Sequence, residues 1–173
     1  MSGEKLIAAL CLLKHGPTDA DKGVTGSVLF TQAKAEGAPV RAHVKLAGLA
    51  PNSVHGFHVH ALGDLSKGCA SAGGHFNPLG APHGGPKDAP DARHAGDLGN
   101  VEANGEGVVD VVLEDAHISL KYADKSCIVG RSVIVHADAD DLGKGDFPDS
   151  KTTGHAGARI ACGVIGLADE VAA

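Results

Sequence analysis

Short runs of alternating or continuous apolar residues, separated by glycine-rich turns, recur along the chain. They predict strands at Lys5–Leu13, Gly26–Thr31, Val40–Leu46, Val54–His60, Gly107–Leu113, Ile128–His136 and Arg159–Gly166. Several are rich in β-branched residues, Val133-Ile134-Val135 above all, which suits a half-buried pleated surface. No segment sustains the 3.6-residue period of an amphipathic helix. The pattern predicts an all-β chain folded as an antiparallel sandwich or barrel. Two stretches break it. Residues 61–100 and 137–158 carry little hydrophobic pattern and many Gly, Pro, His and Asp. Loops of that length in a compact domain are uncommon and usually functional.

The length of 173 residues, without internal repeat or linker, predicts a single domain over 1–173. Apolar residues make up 43% and charged residues 21%, which excludes a disordered chain. A net charge of −6 and an aromatic content of 3% argue against a nucleic-acid partner, which needs basic patches and stacking platforms. No apolar run approaches the ~18 residues that would span a membrane. The run Leu6–Leu13 after Lys5 has the length of a signal core. Glu4 spoils its positive start, however, and Lys14-His15-Gly16 offers no small-residue cleavage site. A first buried strand and a cytoplasmic location are the expectation. The 11 histidines are the anomaly, and such an excess points first to metal.

His58-Val59-His60 places two imidazoles on one face of a strand, because residues i and i+2 point the same way. That pair can clamp a transition metal. His55, three positions earlier, is expected to face away and to be a hydrogen-bonding structural residue. The first long loop carries His75, His83, His94 and Asp97, four ligands of the kind a tetrahedral zinc site needs. His136 ends a strand just before the second loop, where a lone histidine is ordinarily structural. Imidazole suits both copper and zinc. The four cysteines, Cys11, Cys69, Cys127 and Cys162, form no Cys-x-x-Cys, so a thiolate zinc ribbon is excluded. They allow three complete pairings, and a cytosolic protein would ordinarily keep them reduced.

Taken together, these stretches resemble the copper,zinc superoxide dismutases. The matching residues are Gly56-Phe57-His58-Val59-His60, Gly63-Asp64, Gly74-His75-Phe76-Asn77-Pro78 and His83-Gly84-Gly85-Pro86. They continue with His94-Ala95-Gly96-Asp97-Leu98-Gly99-Asn100, Gly130-Arg131-Ser132, the run from His136 to Gly145 and the run from Gly154 to Gly166. The resemblance covers the chain from about Val24 onward. It implies an eight-stranded antiparallel Greek-key barrel with two long functional loops, an Ig-like sandwich architecture of which this family is a standard example.

By position, the resemblance implies one copper per subunit on His58, His60, His75 and His136. It implies one zinc on His75, His83, His94 and Asp97, with His75 bridging the metals. Asp140 matches the carboxylate that links a copper histidine to a zinc histidine, and such partners fix tautomer and ring orientation. Cys69 and Cys162 match the family's disulfide, kept even in the cytosol, which leaves Cys11 and Cys127 as buried free thiols. Arg159 matches the arginine at the mouth of the copper channel. The implied activity is dismutation of superoxide to dioxygen and hydrogen peroxide by alternating one-electron reduction and oxidation of copper. His75 then acts as a proton donor, and Arg159, helped by Lys144 and Lys151, attracts the anion. A homodimer is also implied, through Leu62-Gly63, Val129-Gly130 and Val164 to Leu167, with a copper chaperone as a further partner.

The alternative is a copper-delivery or metal-storage protein on the same barrel. It would be marked by a lost ligand, a lost acidic partner or an added cysteine-motif domain, and the sequence has none of these. Some positions depart from the family. The segment Lys87 to Arg93 is longer than usual, with Ala89-Pro90-Asp91-Ala92 expected as a surface bulge that spares the zinc site. Ala61 and Ala137 stand where acidic residues are common. His155 replaces an amide side chain, and a weak pH effect on its loop, removed by His155→Asn, is expected. Residues through Gly23 read as extra, with no assigned role.

Overall fold

A computed structural model describes residues 5–15 and 23–172. The strands are β1 (Lys5–His15), β2 (Thr25–Gln32), β3 (Val40–Ala47), β4 (Val54–His60), the short β5 (Ser66–Cys69), β6 (Asp97–Glu102), β7 (Val109–Asp115), β8 (Ser132–His136) and β9 (Arg159–Ala172). Eight of them form one antiparallel sheet in the order β6-β4-β8-β9-β1-β2-β3-β7. Its two edge strands, β6 and β7, come together and nearly close it into a barrel. The chain leaves β3, beside β7, and re-enters as β4, between β6 and β8, which makes the connection a Greek key. All seven strands expected from alternation are present, with ends shifted by a few residues.

Alternation explains which face goes where. Along β3 the residues Val40, Ala42, Val44 and Leu46 are buried, while Arg41, Lys45 and Ala47 are exposed. In β4 the two faces are both buried but differ in chemistry. Phe57 and Val59 join the barrel core with Phe30, Val133 and Val135, while His58 and His60 point out of the barrel beneath the long loops. Ile134 of β8 likewise faces outward, into a small second cluster with Cys69, Ala72 and Cys162. The barrel is thus the platform, and the histidines stand on its outer wall.

Three features differ from the sequence expectation. The first concerns the residues before Val24. Residues 5–15 are no appendage, for β1 sits in the middle of the sheet, pairing with β2 on one edge and β9 on the other. Ala9, Cys11 and Leu13 fill the core from it. Second, the stretch 61–100 is not structureless. It holds β5, a 3-10 turn at Ala70–Ala72 and the start of β6. Third, the second loop contains one helical turn, α1 (Ser150–Thr153). Of the two free cysteines, Cys11 is buried and Cys127 only half-buried, not fully as expected. Burial pushes the Cys11 thiol up to about 12, so it is inert packing.

A chain beginning at Val24 should lose two strand pairings and three core side chains. It is expected to show no cooperative thermal transition by circular dichroism. A sharp transition near that of the full chain would contradict the central place of β1.

Candidate metal centre

Strand register itself brings the candidate ligands together. A bulge between Gly56 and His58 lets His58 stand opposite Asp97 of β6. His60 makes an isolated bridge with His75, and a second bulge pairs His136 with Arg159. Ligand atoms of His58, His60, His75 and His136 lie within 4.8 Å of one another, as do those of His75, His83, His94 and Asp97. His75 belongs to both groups, its ring centroid 4.1 Å from that of His58. All seven residues are buried or nearly so.

Four of the rings, His58, His60, His83 and His136, are turned by a hydrogen bond at the nitrogen facing away from the cluster. His60 Nδ1 donates to the Gly73 carbonyl at 2.9 Å and His136 Nδ1 to the Gly157 carbonyl at 3.2 Å. Asp140 accepts from His58 Nε2 at 2.7 Å and from His83 Nε2 at 2.8 Å, so one carboxylate orients a ring in each group. Asp97 is fixed by the backbone N–H groups of Gly84 and His94, and it accepts from His75 Nδ1 at 2.8 Å and His94 Nδ1 at 3.1 Å. His83 Nδ1 lies 3.1 Å from the same Asp97 oxygen without making a hydrogen bond.

These bonds leave His58 Nδ1, His75 Nε2 and His83 Nδ1 buried and without any partner. A buried nitrogen lone pair without a donor is costly, and three in one place call for a shared partner. A cation is what fits. The donor set of imidazoles and one carboxylate suits copper and zinc, and the hydrogen bonds behind His58, His60, His83 and His136 are those that metal-bound histidines make.

The surrounding loops hold this arrangement. Asn100 clamps Asp140 through two hydrogen bonds, at 2.9 Å to its carbonyl and 2.7 Å from its N–H. Gly154 has φ 66°, and a Cβ there would lie 1.9 Å from Asp140 Oδ1 and 2.5 Å from His83 Nε2. Only glycine lets the second loop lie over that hydrogen bond. Cys69 and Cys162 form a disulfide with a sequence separation of 93. On the chain-entropy account a closed loop of that size contributes about 4–5 kcal/mol. It fastens the first loop to β9, from which Arg159 reaches back to the carbonyls of Cys69 at 2.7 Å and Gly73 at 2.6 Å. Gly73 thereby receives both His60 and Arg159.

Every residue singled out for the site lies in this cluster or against it. His55 lies outside both groups, as expected, and donates to the His136 carbonyl at 2.7 Å. Sequence reasoning gave no roles to Asn100, Gly154 or the Gly73 carbonyl. Asn100 lay inside a quoted motif, but a backbone carbonyl leaves no mark in a sequence.

The family described as copper/zinc superoxide dismutase (SODC) matches residues 24–165. The chain belongs to this family. A "Superoxide dismutase [Cu-Zn]" of Candida albicans is 52% identical over 147 residues, covering 85% of this chain and 92% of that protein. Membership carries the family's two metals, copper and zinc, and its oxidoreductase activity, and the disulfide and the nearly closed barrel agree with it.

The metal-free protein has a distinctive acid–base balance. Burial, then the neighbouring His58, lowers His75 to about 4 and His136 to about 3. Burial, then His75, also holds His60 far below its usual range. Unfolding lets these rings take up protons near 6.5, so they remove stability as pH falls below that value. His83 runs the other way. Burial opposes its charge, but the hydrogen bond to Asp140 and the nearby Asp97 carboxylate outweigh it and raise the pKa to about 9. Its stabilisation is complete below 6.5 and is lost as pH rises through 9. The thermal midpoint of metal-free protein should therefore peak near pH 6.5 and fall toward both 4 and 9. A midpoint still climbing at pH 9 would contradict this balance.

Proposed function

We propose that this chain dismutes superoxide to dioxygen and hydrogen peroxide at a copper ion held by His58, His60, His75 and His136, beside a zinc ion held by His75, His83, His94 and Asp97. The single observation that carries the assignment is the trio of buried, unpartnered ring nitrogens on His58, His75 and His83. The chemistry copper supplies there is one-electron exchange, oxidising one superoxide to dioxygen and reducing the next, with two protons, to peroxide. His58 Nδ1, His60 Nε2, His136 Nε2 and His75 Nε2 are the nitrogens left for copper by the hydrogen bonds behind them. Zinc would be held by His75 Nδ1, His83 Nδ1, His94 Nδ1 and Asp97 Oδ1, in place of the protons that His75 and His94 share with Asp97.

The roles of the chain's own groups follow. His75 presents Nε2 to the copper side, and that nitrogen, when free, holds a proton within reach of the bound anion. Asp140 keeps His58 and His83 in the tautomers that expose Nδ1. Arg159 stands opposite His136 in the strand register, tethered through two carbonyls and half-buried. Its guanidinium gives the anion a fixed positive charge beside the copper position. The exposed Lys144 and Lys151 lie on the second loop and add to the local field against an overall charge of −6. Superoxide dismutases are a standard case of such focusing, which raises on-rates by about 10–10³.

The metal-loaded protein should dismute superoxide at roughly 10⁸–10⁹ M⁻¹s⁻¹, a ceiling this family is known to reach, with the rate falling as salt rises. Arg159→Ala should lower it on the order of tenfold and flatten the salt dependence. Fully loaded protein without turnover would instead favour metal delivery or storage.

The protein assembles as a homodimer and works in the cytosol. Leu12, Leu62 and Val164 are exposed on the outer wall of the barrel. Cys11 pairs with Ile165, which sets Leu12 beside Val164, and a Cβ on Gly63 would lie 3.3 Å from Val164 Cγ1. A grouped apolar surface of this kind favours burial against a partner. The run Leu6–Leu13 is a strand paired on both edges, which supports the cytosolic reading over a signal core. Sedimentation equilibrium should give twice the 17.3 kDa chain mass, and Leu62→Glu should halve it. A wild-type monomer at micromolar concentration would rule the dimer out.

A further inference from the structure

Between the zinc-side histidines His83 and His94 the chain makes the longer excursion noted in the sequence. Its neck is tight. A Cβ on Gly84 would lie 2.2 Å from the Ala92 carbonyl, so the two strands of the neck touch backbone to backbone. Inside the neck lies Arg93, the bulkiest fully buried side chain among the described residues. Its Nη1 donates to the Pro86 carbonyl at 3.0 Å and to Asp115 Oδ2 at 2.7 Å. Its Nε donates to the His94 carbonyl at 3.1 Å and its Nη2 to the Ala95 carbonyl at 3.2 Å. Asp115 ends β7 and is itself fixed by the backbone N–H groups of His117 and Ile118, at 2.7 and 3.1 Å.

We propose that Arg93 is a positioning residue of the zinc centre. It clamps the neck of the 87–92 excursion to β7, so that His83, His94 and Asp97 hold their places whatever the excursion does. Three of its four bonds go to carbonyls on the two sides of the neck, and the fourth ties the neck to the barrel wall. Beyond the neck, the excursion closes on itself through Asp88 N–H to the Gly85 carbonyl and Ala92 N–H to the Ala89 carbonyl. Burying a guanidinium is costly unless its donors are satisfied, and here they are spent on the loop that carries zinc ligands. Lysine, a point charge on a flexible stem, cannot make a planar four-way clamp.

The inference rests on the zinc assignment above, and the test separates the two. Zinc affinity is measured by competition with a chromophoric chelator on metal-loaded protein. Cobalt(II) substituted for zinc reports ligand geometry through its visible spectrum. Wild-type protein that binds no zinc overturns the assignment and the clamp together. If it binds, Arg93→Lys should weaken zinc by about 10–100-fold, as loss of a group supporting a metal ligand does, and change the cobalt spectrum while copper binding stays as in wild type. Pro90→Gly loosens the excursion without touching the neck and should leave zinc affinity within about twofold. Wild-type zinc affinity and spectrum in Arg93→Lys overturn the clamp. So does Pro90→Gly weakening zinc by tenfold, a result that decides the matter even if Arg93→Lys does not fold.

Discussion

The centre depends on one carboxylate. Asp140 accepts from His58 on one side and His83 on the other, so it orients one ring that belongs to the first ligand group alone and one that belongs to the second alone. Its two bonds decide which nitrogen each ring presents inward. A ring turned the other way would offer an N–H where a lone pair is needed. The carboxylate is itself over-determined. Asn100 grips its backbone from β6, the Leu142 N–H donates to Oδ1, and Gly154 closes over the bond to His83. Hydrogen bonds from His58 and His83 outweigh burial and hold its pKa at about 2, so the charge persists at any pH at which the protein works. The barrel contributes a rigid wall, and Asp140 couples the two loops across it.

This explains why the histidines stand outside the barrel. Inside, Phe57, Val59, Val133 and Val135 belong to a core built of apolar side chains. Outside, alternate residues of the same strands are free to carry chemistry, provided something covers them. The first loop covers the copper-side group from one direction and is pinned by the Cys69–Cys162 disulfide. The second covers the Asp140 side and is held by backbone bonds from Ala137 and Asp138 back to residues 158 and 156. Arg159 is anchored to the first loop beside His60 and His136.

The parts of this that were legible in the sequence are those with a short period. Seven strands showed through alternation, and His58 with His60 through spacing alone. β6 did not, because Asp97, Gly99 and Asn100 look like loop residues, and Gly99 takes φ 82°. Yet β6 carries the proposed zinc ligand Asp97 and the clamp on Asp140, so the missed strand matters to the site. His75, His83, His94 and Asp97 could be suspected as ligands but not grouped without the family resemblance, since spacing in a loop fixes no distance. β1 was readable as a strand while the resemblance made it look superfluous, and its pairing on both edges decides for the strand.

Arg93 was passed over for a different reason. In sequence it is one basic residue in a polar, proline-containing segment, where a solvated side chain is the ordinary expectation. Its burial depends on Asp115, 22 positions away, which sits at the end of β7 where alternation alone predicts nothing special. An extended loop between two proposed zinc ligands ought to weaken the site, because each added residue gives them more ways to be elsewhere. A clamp at the neck removes that freedom where it matters and leaves it in the excursion, where it costs the site nothing. The longer segment and the buried arginine are then two halves of one arrangement: the neck tolerates the extra residues because the guanidinium, and not the length of the loop, sets the distance between His83 and His94.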